Sequence, residues 1–532
     1  MRKNLIWVLT LPCLLATSCN IEDLGKIKPG TVSPHIAINL GYSEYTVQEL
    51  LEDLEDESVE ITTNADQTIA LYFSESTVYD GNDDLIAINS VSNEEEFAPA
   101  ENVPATPIGY EIEIDEVFTF SFPANNGEEI DSLIYSAGTL DFEMLSTFKG
   151  DIDYTWTIEG TKLVTTNVDL TNSEELVYTG ADVTDSYSRP LEGLKSKFYK
   201  NAFNENEFQV HVVGTITFEA GTEILPEQRM TFDLAFNNPG FTHIYGKFGS
   251  DPIDLQNQSI DMTAFNDFSG DGLKLEDPRV YLITTNSYGM DIELSFDELK
   301  AIDADGNQVL LQEITPPGID GFVSSPEIEG EVKIDTIELN NQNSNIDDLL
   351  NSTPVLMEFE ISGIPNPASS SRLNNFLLED SRVEIESLIA IPMQFQMDGF
   401  SVDFDFELND LDIESAESII FNIIATNEIP FSGAIDLSFI DDQGNLLFSL
   451  PNAANIESPI VGSDGKTTAP HVSNSGIDLS SEGIDALINA HKILATANIS
   501  TFEHEKNRYV TLYSDYKLNI ELSLAGEVTI QL

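Results

Sequence analysis

The chain has 532 residues, with 93 acidic and 23 basic side chains and a formal net charge of −70. This charge argues against nucleic acid as a partner, because lysines and arginines that neutralise phosphates drive such binding, and against docking flat on anionic lipid headgroups. Hydrophobic residues make up 41% of the chain, which excludes a disordered acidic tail. The favoured interpretation of the charge is solubility at an exposed, salty surface, and the alternative is a cation-rich or basic partner.

The first eighteen residues have the pattern of an export signal. Two basic residues open it, an apolar run extends from Leu5 to Leu15, and small residues precede Cys19. The run is shorter than the roughly twenty apolar residues that cross a bilayer, so it fits the core of a lipoprotein signal peptide over residues 1–18. An ordinary secretory signal, in which the cysteine is incidental, is the alternative.

Cysteine usage favours a lipid on Cys19. The other cysteine, Cys13, leaves with the signal, so the mature chain of 514 residues (532 − 18) has one thiol, at its first position. A lone exported thiol invites unwanted pairing, whereas a thioether to lipid removes it. Each buried methylene of the acyl chains contributes about 0.8 kcal/mol to membrane binding. We therefore expect residues 19–33 to form a lipidated tether, and no later segment resembles a transmembrane helix.

An N-terminal β-rich domain is predicted over residues 34–130. Thr46 and Glu49 form a capping-box pattern, which predicts a short helix over 47–56. A hairpin follows that turns at Asn64-Ala65-Asp66. Three consecutive glutamates and three prolines predict a loop over 90–109.

From about residue 110 the chain alternates between apolar and polar residues. In 151–159 one face collects the apolar residues Ile152, Tyr154, Trp156 and Ile158. The same alternation recurs in 399–409 and indicates strands with one buried face, as in antiparallel sheets. The predicted fold class is mainly β, with tandem antiparallel β-sandwich or curved-sheet domains and a few short helices. Trp156, the one tryptophan of the mature chain, is predicted to lie in a core.

Two segments of the chain resemble each other. Residues 284–311 and 425–450 both have Thr-Asn, then Ile-acid-Leu-Ser-Phe, then an Asp-rich turn with Gly-Asn and an apolar strand. The Gly306-Asn307 and Gly444-Asn445 pairs lie where a hairpin needs positive φ. The predicted boundaries are a β domain at 131–265, the first repeat copy at 266–345, and a C-terminal β domain with the second copy at 346–532. That last domain has a predicted helix over 481–497, which Ser480 or Ser481 can cap.

No catalytic motif appears in the sequence. The six histidines are dispersed without metal-ligand spacing, and no Ser elbow, P-loop or dinucleotide fingerprint is present. With 93 carboxylates, a paired-acid hydrolase has no pair that the sequence singles out, because such partners are set by space. The protein is therefore predicted not to be an enzyme, and a hydrolase stays as the alternative.

Calcium is the one candidate cofactor, and none is required. Asp267, Ser269 and Asp271 place oxygen ligands at alternate positions before Gly272, like the start of an EF-hand loop. The twelfth position is Pro278, where that loop needs a bidentate acid. A structural turn is therefore favoured over a calcium site at this position. The Asp-rich runs that end at Gly306 and Gly444 are likewise interpreted as hairpin turns.

Two resemblances have implications for location and fold. Glu22-Asp23, together with the segment HIAINLGYSEYTVQELLED that begins at His35, resembles a group of uncharacterised Bacteroidota outer-membrane lipoproteins. The segment DPRVYLITTNSYGMDIELSF at 277–296 is similar to β-sandwiches of the late-embryogenesis-abundant type, in which a corner such as Asn286-Ser287-Tyr288-Gly289 divides two strands. The first resemblance implies a lipid-anchored outer-membrane protein, at the cell surface or on the periplasmic face. The second implies a sandwich fold and, distantly, a relation to tubular lipid-binding proteins.

Three functional hypotheses follow. The first is a non-catalytic outer-membrane lipoprotein for binding, adhesion or envelope assembly, held on the membrane by its N-terminal lipid, with an unknown protein, lipid or glycan partner and no nucleic acid. The second is a lipid-binding or lipid-transfer protein with an apolar groove crossed by the 481–497 helix. The third is a surface glycan-binding protein or hydrolase.

Overall fold

The chain is mainly β, as predicted. The computed structural model describes residues 31–32, 35–52, 59–86, 88–122, 128–203, 205–255, 257–263, 272–312, 321–372, 374–408, 416–463, 465–528 and 530–531. Two compact units are present: the first combines residues 1–50 with 397–532, and the second comprises 51–396. Within the described ranges, no helix has the length and hydropathy that crossing a membrane requires.

Strands form most of the regular structure. Along the chain, the first strands are β1 (Thr31–Val32), β2 (His35–Thr46), β3 (Glu60–Thr63), β4 (Ile69–Tyr79), β5 (Val91–Phe97), β6 (Glu111–Ser121), β7 (Glu129–Ser146), β8 (Gly150–Leu163), β9 (Asp169–Leu176), β10 (Val183–Pro190), β11 (Leu194–Lys197), β12 (Tyr199–Lys200), β13 (Asn206–Phe218), β14 (Met230–Lys247), β15 (Ile253–Asp254), β16 (Gln258–Asp261) and β17 (Lys274–Leu275). The later strands are β18 (Arg279–Asn286), β19 (Ile292–Ile302), β20 (Gln308–Leu310), β21 (Gly321–Val323), β22 (Lys333–Leu339), β23 (Leu356–Pro365), β24 (Asn375–Leu378), β25 (Val383–Pro392), β26 (Gln394–Gln396), β27 (Phe400–Glu407), β28 (Ala416–Asn427), β29 (Phe431–Ile440), β30 (Leu446–Ile456), β31 (His471–Asp478), β32 (Lys492–Thr501), β33 (Val510–Thr511), β34 (Lys517–Val528) and β35 (Ile530–Gln531). The helices are α1 (Val47–Glu52), α2 (Asn82–Leu85), α3 (Ile346–Asn351) and α4 (Ser481–Asn489), and a 3-10 turn spans His504–Lys506.

The first unit is one eight-stranded sandwich, which we call the outer sandwich. Its sheets have the orders β2-β34-β28-β31 and β27-β32-β29-β30, and all pairings are antiparallel. When the eight strands are numbered 1 to 8 along the chain, the two sheets have the strand orders 1-8-3-6 and 2-7-4-5. That order is the jelly-roll topology of two Greek keys. The short strands β1 and β35 pair with each other.

The second unit contains two further sandwiches with the same topology. In the middle sandwich the sheets are β4-β25-β18-β22 and β16-β23-β19-β20. The short strand β15 pairs with β23 beside β16, and β21 pairs with β19 beside β20, so β15 and β16 together form the second strand and β20 and β21 the fifth. In the inner sandwich they are β5-β14-β7-β10 and β6-β13-β8-β9. Both again read 1-8-3-6 and 2-7-4-5. The short strand β11 pairs with both β7 and β8 and so joins the two inner sheets, while β24 pairs with β14.

The three sandwiches are nested in the sequence, and their names refer to that nesting. The inner sandwich occupies the connection between strands β4 and β16 of the middle one. The whole second unit occupies the connection between β2 and β27 of the outer one. Both insertions therefore fall between the first and second strands of a jelly roll. The helices α3 and α4 also correspond, because each lies between the sixth and seventh strands of its sandwich.

A hydrogen-bonded corner joins the third strand to the fourth in all three sandwiches. The side-chain oxygen of the last residue of the third strand accepts a hydrogen bond from the backbone N–H two residues later. The pairs are Asn286 with Tyr288 at 2.8 Å, Asn427 with Ile429 at 2.9 Å, and Ser146 with Phe148 at 3.2 Å. Each of these second residues is buried, with at most 2% of its surface exposed.

The residue between the two corner positions also has an equivalent role in each sandwich. Its N–H donates to the carbonyl of a basic residue at the start of the eighth strand. The pairs are Thr147 with Arg229 at 2.9 Å, Ser287 with Arg382 at 3.0 Å, and Glu428 with Lys517 at 2.8 Å. The two resembling segments of the sequence therefore share one local structure, and the inner sandwich contains a third copy of the corner.

The predicted hairpin turns also match between the copies. Asp303 Oδ1 accepts hydrogen bonds from the N–H groups of Asp305 and Asn307, at 3.0 and 2.8 Å. The corresponding bonds of Asp441 are 2.9 and 2.7 Å long. Gly306 and Gly444 have φ of 84° and 83°, where a side chain would be strained. The interpretation of both runs as structural turns is confirmed.

The predicted loop over 90–109 is wrong at its start. Val91–Phe97 forms strand β5, which pairs antiparallel with β14. Val91 is buried, and the residues after it alternate between exposed and half-buried. Because β5 lies at the edge of its sheet, Glu94 and Glu96 can face water, and Arg229 binds Glu96 at 2.9 Å. The run of glutamates therefore belongs to a strand with a solvent-exposed face, and not to a loop.

The predicted helix over 481–497 is too long. Ser480 caps it as expected, accepting a hydrogen bond from the N–H of Gly483 at 3.2 Å, but the helix ends at Asn489. Residues 492–501 form β32, in which Ile493 and Ala495 are buried and alternate with half-buried neighbours. The alternation with a period of two therefore forms a strand where the sequence predicted the last turns of the helix, and the helix is shorter than the one that the lipid-handling hypothesis placed across a groove.

The predicted helix over 47–56 begins as expected. Thr46 and Glu49 form the capping box, with Thr46 N–H donating to Glu49 at 2.8 Å and Glu49 N–H donating to Thr46 Oγ1 at 3.1 Å. The helix is described as far as Glu52, and residues 53–58 lie outside the described ranges.

The core of the inner sandwich is aromatic. Trp156 has no exposed surface, as predicted, and its ring centroid lies 4.6 Å from Phe142 and 5.0 Å from Tyr187. Stacked and edge-on rings of this kind fill the space between the sheets.

Candidate ligand groove

The site residues predicted from the sequence lie outside the described ranges. This holds for Cys19 and for the calcium candidates Asp267, Ser269 and Asp271. Lipidation and calcium binding therefore stay predictions. Among the residues that are described, no three or more His, Cys, Asp or Glu side chains form a group that could hold a metal ion.

A groove of about 700 Å³ lies on the inner sandwich. It is located where β11 joins β7 and β8, so strands of both sheets form its floor. We call it the lysine groove. Its lining consists of Asp131, Ser132, Thr157, Glu159, Gly160, Lys162, Asn167, Asp169, Lys195, Ser196, Lys197 and Tyr199.

Strand β11 is held in place by a row of buried hydroxyls. Ser196 is buried, and its Oγ accepts a hydrogen bond from the Tyr135 hydroxyl at 3.0 Å and lies 2.8 Å from Thr161 Oγ1. Burial raises the pKa of Tyr135, which keeps its hydroxyl protonated as a donor. Because side chains alternate along a strand, the inward orientation of Ser196 places Lys195 and Lys197 on the outer face.

The third lysine comes from the neighbouring strand. Lys162 lies directly opposite Lys195 in the pairing of β8 with β11. A bulge in β8 between Ile158 and Lys162 shifts the register there, and Gly160 adopts a φ of 80° at that point. Directly opposed side chains have Cβ atoms about 5 Å apart, and like charges so placed are destabilising. The pairing therefore places two lysine side chains next to each other on the sheet, which is unfavourable for like charges.

Two of the three lysines have no direct side-chain partner among the described residues. Lys162 Nζ lies 3.8 Å from Asp169, whereas Lys195 and Lys197 make no side-chain ion pair or hydrogen bond with the residues that the structure describes. Lys200, close in sequence, behaves differently. Its Nζ donates to the carbonyl of Ile130 at 2.9 Å, and burial lowers its pKa.

The groove is polar and electrically balanced. Its three lysines are matched by the carboxylates of Asp131, Glu159 and Asp169. The formal charge of the groove is therefore zero (3 − 3), in a chain with a net charge of −70. At its rim Tyr199 has 43% of its surface exposed, so an aromatic ring faces solvent beside the charged groups.

Three other clefts are lined by fewer cationic side chains. A cleft of about 420 Å³ includes Asp80 and Glu379 but no lysine or arginine. A second, of about 180 Å³, contains Arg382. In a third, Lys300 is already bound by Glu298 and by Glu358, at 2.5 and 3.0 Å. Among these four clefts of the described chain, the lysine groove is the one with more than one cationic group free to bind a ligand.

No sequence motif predicts this site, but the sequence contains a weak signal for it. In Leu194-Lys195-Ser196-Lys197 two basic residues alternate with a small one, in a chain where acids outnumber bases fourfold. Alternation places these two lysines on one strand face. The approach of Lys162 depends on the fold, because its pairing with β11 is not a local property of the sequence.

Comparisons with known proteins give no family for this chain. No protein-family model and no curated protein matches it. Among solved structures, a "putative secreted protein" from Parabacteroides distasonis is similar at 15% identity, with a TM-score of 0.33, over 52% of this chain and 83% of that one. A structure of infectious bursal disease virus, Gt strain, matches at 8% identity and a TM-score of 0.15, over 95% of this chain and 86% of that one. A human norovirus GI.7 particle matches at 9% identity and a TM-score of 0.14, over 72% and 92%.

Proposed function

We propose that the protein is a non-catalytic binding component of a bacterial cell surface, held there by lipid on Cys19, and that the lysine groove is its ligand site. One observation carries the proposal: Lys195 and Lys197 face a groove of about 700 Å³ without ion-pair partners among the described residues, in a strongly acidic chain. Ligand sites are concave and use a few convergent polar groups to fix orientation.

The scaffold under the groove suits binding. Strands β7, β8 and β11 form its floor, and the hydroxyl row of Tyr135, Ser196 and Thr161 fixes β11 between the two sheets. Sites built on strands position their side chains more accurately than sites on loops. A rigid floor lowers the entropic cost of binding.

The binding part of the proposal is tested by lysine reactivity. The mature protein is treated with an amine-acylating reagent in the presence of polysaccharide, lipid or protein fractions from a bacterial envelope, and acylation is located by mass spectrometry. At least one fraction is expected to protect Lys162, Lys195 and Lys197. Lys149, an exposed lysine of the same sandwich outside the groove lining, is the control. Equal acylation of all four lysines with every fraction would refute the assigned site.

The location part is tested by replacing Cys19 with Ser. The variant is expected to lose incorporation of an alkyne-labelled fatty acid and to leave the membrane fraction. The matched control is Cys13→Ser, because Cys13 lies within the signal and is removed with it. A Cys19→Ser protein that is exported and stays membrane-bound contradicts the lipid anchor.

A further inference from the structure

We propose that the ligand of the lysine groove is an acidic saccharide, that is, a hydroxyl-rich chain with widely spaced carboxylate or sulfate groups. The inference rests on the proposed function and gives the chemical class of its ligand. Lysines supply the charge recognition, carboxylates and amides of the groove receive the hydroxyls, and Tyr199 provides an aromatic surface for a sugar ring.

The balance of charge in the groove favours a sparsely charged ligand. A densely charged polyanion such as polyphosphate or nucleic acid would meet three carboxylates, Asp131, Glu159 and Asp169, besides the three lysines. Ionised carboxylates accept hydrogen bonds and donate none. They suit the hydroxyl groups of a sugar, which are donors, and they repel a second anion. A saccharide with one acid group per sugar residue fits both the lysines and the carboxylates of this lining.

The positions of the lysines define two anion subsites. Lys162 and Lys195 are directly opposed, so their ammonium groups can share one carboxylate or sulfate. Lys197 lies two residues farther along β11, which is about 7 Å on an extended strand. An anion between Lys162 and Lys195 would relieve the repulsion between their ammonium groups, and a second acid group farther along the saccharide would reach Lys197.

The remaining lining matches a carbohydrate in kind and size. Thr157 and Asn167 add hydroxyl and amide groups that both donate and accept hydrogen bonds. Tyr199 is exposed at the rim and offers an apolar face with a polar tip, a common property of aromatic residues at binding surfaces. A volume of about 700 Å³ lies within the range of small-ligand sites.

The experiment is calorimetric titration of the mature protein with three probes at about 150 mM salt. Tetragalacturonate represents the acidic saccharides, maltotetraose the neutral ones, and tripolyphosphate the dense polyanions. Tetragalacturonate is expected to bind at least about tenfold more tightly than either of the others. This factor corresponds to the loss of one charge-assisted hydrogen bond.

Variants connect the binding to the groove. Lys195→Gln and Lys197→Gln are each expected to weaken tetragalacturonate binding about tenfold or more, and Lys149→Gln is expected to leave it unchanged. Tyr199→Ala is expected to weaken binding more than Tyr199→Phe, which keeps the ring. Lys195 is half-buried and the other three side chains are exposed, and unchanged thermal unfolding of the variants verifies that the fold is intact.

The outcomes separate this inference from the proposed function. Equal binding of maltotetraose, tighter binding of tripolyphosphate, or no binding of tetragalacturonate overturns the acidic saccharide. Envelope fractions that still protect the three lysines from acylation would then leave the groove as a ligand site. Binding of tetragalacturonate that the lysine variants do not weaken would place the saccharide elsewhere and would also overturn the inference.

Discussion

The corner residue Asn286 offers a sharp test of the shared fold. Its side chain has no exposed surface and makes three hydrogen bonds to backbone groups. Its Nδ2 donates to the carbonyls of Met290 and Ser324, both at 3.1 Å, and its Oδ1 accepts from Tyr288 at 2.8 Å. Asn286→Ala removes all three bonds and leaves the buried Tyr288 N–H and Met290 carbonyl, and the half-buried Ser324 carbonyl, without these partners.

The expected cost follows from these contacts. A hydrogen bond contributes about 0.5–1.5 kcal/mol to stability, and more when its buried partner is left unsatisfied. Three lost bonds therefore destabilise the middle sandwich by about 3 kcal/mol. Asn286→Ser should cost about 2 kcal/mol, because a serine hydroxyl can still accept the bond from the i+2 N–H, as Ser146 does in the inner sandwich.

Asn427 provides a second, parallel test, because it has the same role in the outer sandwich. Its Nδ2 donates to the carbonyls of Phe431 and Glu457, at 2.8 and 3.2 Å. Hydrogen exchange read by mass spectrometry reports each sandwich through its own peptides, which avoids a two-state assumption for a chain of several domains. Asn286→Ala should lower protection in 279–302, and Asn427→Ala in 416–440.

Two results would refute this reasoning. The first is a loss of less than about 1 kcal/mol in either alanine variant, which would mean that water or a local shift replaces the missing bonds. The second is a serine variant no more stable than the alanine variant, which would remove the equivalence of the Ser146 corner with the other two.

Three further predictions concern stability. Trp156→Ala should destabilise the inner sandwich by about 3–5 kcal/mol, because the ring is fully buried against Phe142 and Tyr187. Hydrogen-exchange protection of residues 129–163 measures this loss of stability. A loss below about 1 kcal/mol would contradict the packing. Ser480→Ala should cost about 1 kcal/mol, measured as faster exchange in α4, because it removes the N-cap. Hydrogen bonds from the Asn307 side chain and backbone hold the pKa of Asp303 below its usual value. The stabilising contribution of Asp303 is therefore present above about pH 4 and is lost as the pH falls through that lowered pKa. The stability difference between wild type and Asp303→Ala should shrink in acid, and a difference that is constant with pH would count against the turn.

The sequence predicts the strand content and one corner, at Asn286, and it places Asn427 in a resembling segment. Alternation of apolar and polar residues is a local property, so the strands and the buried Trp156 follow from it directly. Asn286 and Asn427 are recognisable because they stand in similar segments. The third corner has Ser146 in the same position, and a hydroxyl replaces the amide there, so the resemblance is lost in the sequence although the hydrogen bond is kept.

The nesting and the groove are less accessible from the sequence. Nothing local marks a chain that leaves a sandwich after its first strand, because β2 and β4 read like any other strands. The helix ending at Asn489 shows the same limit, since Leu494 fits a helical stripe as well as a strand. The groove needs Lys162 and Lys195 to meet across a pairing that only the complete inner sandwich creates.

The nesting also sets the order in which the protein can form during synthesis. The inner sandwich is continuous in the chain and can fold as soon as it leaves the ribosome, whereas β2 has its partner in β34, near the C-terminus. Between Thr46 and Lys517, where β34 begins, lie 470 residues (517 − 46 − 1), which take about 24–94 s to synthesise at 5–20 residues per second. During that time β2 has no partner strand of its own sandwich, so its exposed edge is open to wrong pairing. A chain with this nesting has to keep its first sandwich strand from wrong pairing until its last sandwich strand has been made.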